Sequence, residues 1–69
     1  MPLKHMDERA KHRKNIKSGL RVTICLNEDR SKFIDGNVKQ LLTKSAFHPH
    51  GIKVRLESGS VGRVKNILS

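Results

Sequence analysis

The run His48-Pro49-His50-Gly51-Ile52-Lys53-Val54-Arg55-Leu56-Glu57-Ser58-Gly59-Ser60-Val61-Gly62-Arg63-Val64 constrains the fold more than any other part of the chain. Ile52, Val54 and Leu56 alternate with Lys53, Arg55 and Glu57, which is the period of a strand with one buried and one solvated face. Ser58-Gly59 then supplies a tight turn, because glycine adopts positive φ without a steric penalty. The segment therefore predicts a β-hairpin with an apolar inner face and a cationic outer face. If Leu56 faces Val61, simple pairing sets Arg63 opposite the inward Val54. One extra residue would restore Val64 to the inner face, and Gly62 is the natural site for such a bulge.

The rest of the chain predicts a few more short strands. Leu20 to Leu26 alternates again, with Leu20, Val22, Ile24 and Leu26 on one side and Arg21, Thr23 and Cys25 on the other. Asn27 to Lys32 reads as a polar loop and Asp35-Gly36 as a turn or bulge. Asn37 to Leu42 reads as a second strand, bent near its adjacent Leu41 and Leu42; a helix competes there but is too short. Lys65 to Leu68 forms a short turn or a last strand. At the other end, Met1 to Asn15 is polar and basic with scattered Leu3, Met6 and Ala10, an apolar face too thin to dock. The expected organisation is a flexible basic arm over residues 1–15 and an all-β domain over residues 16–69. Four to five short antiparallel strands with no convincing helix favour a small SH3-like barrel, and a five-stranded OB-fold ranks second.

Size and charge narrow the function. A chain of 69 residues forms at most one small domain, and with two Phe and no Tyr or Trp its core must be aliphatic. Such a core leaves roughly 3–5 kcal/mol of stability, too little to carve a deep catalytic cleft. The net charge of +9 comes from 15 Lys and Arg against 6 Asp and Glu, and residues 20–69 alone hold +5 of it. A charge of this size attracts polyanions through long-range fields and counterion release. The bland alternative is a solubilising surface. One cysteine, Cys25, excludes an internal disulfide and fits a reducing compartment. No apolar run approaches the roughly 18 residues of a membrane span, and the charged start lacks the apolar stretch of a signal peptide. A cytoplasmic protein is expected, or a nuclear one if the source has a nucleus.

Asn15-Ile16-Lys17-Ser18-Gly19-Leu20 followed by Val22 and Ile24, then Leu42-Thr43-Lys44-Ser45, His48 to Leu56, Gly59 and Val61-Gly62-Arg63-Val64 resemble the YwbE family of small uncharacterised proteins. The resemblance runs from about Arg13 to Leu68, and the nine residues His48 to Leu56 are its specific part. Ser18 departs from it, standing where the pattern has a proline, and the loop Asn27 to Phe33 is shorter than usual. The resemblance implies a compact β domain and supplies no activity or ligand. The hairpin also resembles KOW-type units of ribosomal and transcription proteins, which are SH3-like and commonly contact RNA. That likeness rests on Gly and Val spacing and is analogy at the level of the fold.

The chemistry-bearing residues read as a binding surface. Lys53, Arg55, Arg63 and Lys65 gather on the hairpin, and Arg21 and Lys39 take outward positions on the other strands. Such a face can neutralise several phosphates. It lacks the aromatic platforms that stack bases, so weak sequence preference is expected. Phe33 and Phe47 read as loop-anchored core or rim residues, too few for a proline-rich groove or a methyl-lysine cage.

His48 and His50 flank Pro49 and could share a metal, but no zinc spacing supplies further ligands. Hydrogen bonds to neighbouring backbone are the better reading, and protonation below about pH 6.5 would add charge to the face. Cys25 has no base or oxyanion donors nearby. Glu28, Asp29, Asp35 and Glu57 sit in turns rather than as an acid/base pair. No phosphate-cradling glycine loop is present. The expectation is a non-enzymatic, monomeric nucleic-acid-binding module, RNA before DNA, without cofactor or metal. The alternative is a protein-interaction module for an acidic surface of a larger assembly.

Overall fold

The computed structural model describes residues 7–68. Four antiparallel strands, β1 (Arg21–Leu26), β2 (Phe33–Leu41), β3 (Lys53–Leu56) and β4 (Val61–Ile67), follow one another around a closed barrel in which β4 returns to pair with β1. Two short 3-10 turns, Glu8–Lys11 and Arg13–Asn15, precede them. The protein is a small SH3-like barrel. No helix among the described residues is long and apolar enough to cross a membrane.

Alternation builds the core. Val22 and Ile24 of β1, Val38 of β2, Val54 and Leu56 of β3 and Val64 of β4 all point inward and are fully buried, joined by Ile52, Ile16 and Ala10. Leu20, Leu26, Ile34, Leu41 and Ile67 close the margins. These side chains are aliphatic and mostly β-branched, which suits a narrow barrel interior.

The hairpin forms without a bulge at Gly62. Lys53 pairs with Arg63, Val54 with Gly62 and Arg55 with Val61 in one unbroken register. The extra residue sits in the turn instead. Leu56 N–H donates to Ser60 O at 2.8 Å, so Leu56 faces Ser60 rather than Val61. Glu57, Ser58 and Gly59 form the loop, with Gly59 at φ 99° and its N–H donating to Leu56 O. A three-residue loop ending in left-handed glycine is a common hairpin closure. Gly62 is glycine for another reason: a Cβ there would fall on the Cys25 carbonyl oxygen and 2.9 Å from the carbonyl carbon.

The register shifts lie elsewhere. Between β1 and β4 the pairing slips between Thr23 and Ile24, passing over Lys65. Between β2 and β3 it slips between Val38 and Gln40, passing over Lys39. Nor does Asp35-Gly36 make a turn. Both residues lie within the nine-residue β2, paired with Thr23 and Val22 of β1. Gly36 leaves room for Leu56, whose Cδ1 would stand 2.7 Å from an added Cβ.

The boundary expected at Ile16 also moves. Residues 1–6 of the expected arm lie outside the described residues, but Asp7–Asn15 is fastened to the barrel. Asp7 N–H donates to Lys65 O, Ile52 N–H to Ala10 O, His48 N–H to Lys11 O and Arg13 N–H to Ala46 O, at 2.8–3.0 Å. Ala10 is completely buried. The segment docks through backbone hydrogen bonds, the buried Ala10 and polar or ring contacts of Asp7, His12 and Arg13, so the thin apolar face did not matter.

Candidate nucleic-acid interface

The unbroken hairpin register sets Lys53 directly opposite Arg63 on the outer face. Arg55 follows Lys53 on the same side of β3. Its Nη1 donates to Gln40 Oε1 across β2 at 3.3 Å. Arg63 is flanked on its other side by Cys25 of β1. Its Nη1 donates to Gly51 O at 3.0 Å, and Lys65 Nζ donates to His50 O at 3.0 Å. Two cations thus converge on neighbouring carbonyls of the turn that leads into β3.

None of these four side chains has a carboxylate partner among the described residues. The ion pairs Arg9–Asp7 and Lys11–Glu8 lie on the N-terminal segment. Like charges directly across a strand pair are destabilising, so Lys53 and Arg63 form a repulsive pair that the protein itself leaves unneutralised. Carbonyl dipoles orient Arg63 and Lys65 without removing their charge.

Beside Arg63 opens a cleft of about 310 Å³, lined by Cys25, Leu26, Asn27, Arg30, His50, Arg63 and Lys65. No acidic residue is among them. Arg30 comes from the β1–β2 loop, which folds back on itself. Leu26 N–H donates to Lys32 O at 3.0 Å, and the Cys25 thiol donates to Arg30 O at 3.1 Å. Ser31 caps Asp29 through its N–H and hydroxyl, holding that carboxyl below its ordinary value. The sequence reading missed Arg30, since a charge in a polar loop carries no periodicity to place it.

His48 and His50 stand against this cluster. The N–H of His50 donates to His48 Nδ1 at 3.1 Å, and the two ring centroids are 5.8 Å apart. Desolvation first, then the positive charges of Arg63, His50 and Lys65, lowers the pKa of His48. The imidazole therefore resists adding its own charge to an already positive site.

Of the six cations singled out in the sequence, the fold brings together Lys53, Arg55, Arg63 and Lys65. Arg21 lies at the opposite end of β1 from Cys25, where its Nη1 donates to Asn37 Oδ1. Lys39 falls at the β2 irregularity beside Arg55 and is not part of the cleft lining. Neither phenylalanine lies in the core. Phe33 opens β2 at 57% exposure, directly opposite Cys25, so its ring projects outward beside the cleft. Phe47 is 49% exposed and packs against the His12 ring at 5.1 Å.

A family model described as "Uncharacterized conserved protein (DUF2196)" matches residues 9–67. The chain is 54% identical over 59 residues to "Uncharacterized protein YwbE" of Bacillus subtilis (strain 168), covering 83% of this chain and 91% of that protein. No solved structure matches it significantly.

Proposed function

The chain belongs to the DUF2196 family of uncharacterised conserved proteins, and we propose that it is a non-catalytic, intracellular nucleic-acid-binding module, RNA before DNA. The observation that carries this reading is the unneutralised pair Lys53–Arg63, with Arg55 beside it on β3 and with Arg30 and Lys65 joining Arg63 around a cleft without acidic lining. Mutual repulsion among these cations is relieved when phosphates settle between them, and condensed counterions are released as they do. The face is an outer strand surface rather than an enclosed pocket, which suits a polymer running across it.

Lys53→Ala combined with Arg55→Ala tests the proposal, because neither side chain holds the fold. Binding to a short RNA is measured over a salt series. If each residue meets one phosphate of a single strand, the slope of log K against log salt falls by roughly 1.4. An unchanged slope removes these residues from the interface. Saturable binding to an acidic protein, with RNA binding that never saturates, would instead favour the protein-interaction reading.

A further inference from the structure

The outer surface carries one cross-strand row that joins an aromatic ring to the cations. Reading across β2, β1, β4 and β3, the paired positions are Phe33, Cys25, Arg63 and Lys53. All four face outward, because their neighbours Ile34, Ile24, Val64 and Val54 face the core. Adjacent strands lie about 4.8 Å apart, so the backbone at Phe33 and Arg63 is separated by roughly 10 Å. The residue between them is the small, half-buried Cys25, whose thiol turns towards Arg30 O. A shallow floor therefore lies between an exposed ring and a guanidinium, with Arg30, His50 and Lys65 completing the cleft beyond it.

We infer that this row is a subsite for one nucleotide of a single strand, with its phosphate held by Arg30, Arg63 and Lys65 and its base stacked on Phe33. The inference rests on the nucleic-acid reading above and adds strand selectivity to it. A ring 57% exposed on a charged barrel is costly to leave in water and offers a π-face that any base can cover. Bases of a duplex are already paired and stacked inside the helix, so only their backbone can reach this surface. Single strands gain the stacking contact and duplexes do not. One ring and no base-edge donors placed beside it leave the sequence preference weak.

The test compares the native protein with Phe33→Ala and Phe33→Leu, using fluorescence anisotropy of a labelled oligouridine, the same oligomer with abasic sites, and an RNA duplex of equal length. Phe33→Ala should weaken oligouridine binding by about five- to a hundred-fold, the range for loss of one base–aromatic stack. Phe33→Leu should fall nearly as far, since it keeps an apolar side chain and loses the ring. Duplex affinity and the salt slope should stay as they were, and the abasic oligomer should bind all three proteins alike.

Equal oligouridine affinity in the native protein and both variants overturns the subsite. So does a parallel loss for duplex and single strand, which would make Phe33 structural. If those results come with Lys53→Ala/Arg55→Ala still weakening RNA binding, the backbone interface stands without the stack. If that double variant is also silent, the nucleic-acid reading fails with it.

Discussion

Adding one methyl group at Gly62 should come close to unfolding the protein, whereas the same change at Gly36 should cost less and leave it folded. Gly62 pairs with Val54 on one side and Leu26 on the other, at the place where β4 closes the barrel onto β1. An alanine Cβ would collide with the Cys25 carbonyl and approach Ile24 Cδ1 at 3.1 Å. Inserting atoms into packed cores costs typically 1–3 kcal/mol when side chains can shift. Here the obstacle is backbone, so β1 and β4 must part, and buried carbonyl and N–H groups left without partners add about 1–3 kcal/mol each. The total reaches roughly 3–5 kcal/mol, the whole stability available to a core of this size. At Gly36 the nearest atom is Leu56 Cδ1 at 2.7 Å, the end of a side chain rather than backbone, so the cost stays within the roughly 1–3 kcal/mol of ordinary overpacking. Urea unfolding followed by far-UV circular dichroism suits a chain without Trp or Tyr. A Gly62→Ala midpoint equal to that of Gly36→Ala would refute the view that this strand crossing fixes closure.

Two further predictions concern titratable groups. The Asp7 carboxylate accepts from Arg9 and from the Ile67 N–H, and its pKa is lowered chiefly by the Arg9 side chain. Its contribution is therefore present above the ordinary carboxylate range and lost as pH falls through the lowered value. Asp7→Ala should cost about 1 kcal/mol at neutral pH, as loss of a capping side chain does, and should flatten the acid limb of a stability–pH curve; an unaltered limb would exclude Asp7 as its source. His48 has the same sign for a different reason: its folded pKa lies below 6.5, so folding favours the neutral ring and stability declines as pH drops from 6.5 towards that lower value. A bound phosphate reverses the local field, so NMR titration of the His48 ring should show its pKa rising when RNA is added, with affinity increasing as pH falls. An unmoved His48 would place the phosphate away from Arg63 and Lys65.

Legibility followed the range of the interactions. The β3–β4 hairpin could be read because its strands alternate and its turn residue is glycine, both within a dozen positions. Cys25 could be placed outward on the same grounds. The reasons for Gly36 and Gly62 could not be read, since each makes room for a residue distant in the chain, Leu56 and Cys25 respectively. The docked segment Asp7–Asn15 was hidden because backbone hydrogen bonds and scattered polar contacts leave no hydrophobic pattern. Four cations of the site were visible in the period of the strands, and Arg30 was not, because only the folded-back loop brings it there. Phe33 was expected in a loop as a core or rim residue, whereas it opens β2 and is exposed. Its exposure follows from pairing with the outward Cys25, a register set by residues on two strands.

Closure of the barrel and assembly of the cleft use the same positions but make different demands on them. A four-stranded barrel must coil strongly, and bulges supply local twist. Both register shifts here pass over a lysine, Lys39 in β2 and Lys65 in β4. At Lys65 the displaced carbonyl is satisfied by Asp7 N–H, which ties the N-terminal segment to the irregularity. That function belongs to the backbone and would be met by almost any side chain. At Gly62 the fold demands the absence of a side chain, and the residue after it, Arg63, is thereby held against β1 beside Cys25. Nothing in these requirements calls for positive charge at residues 53, 55, 63 or 65. Neutral donors could reach the carbonyls of His50 and Gly51, and neutral residues at 53 and 63 would remove a repulsive cross-strand pair. The fold therefore bears an electrostatic cost it does not need, placed where the surface is open and no carboxylate lines the cleft. The proposed polyanionic ligand would convert that cost into affinity.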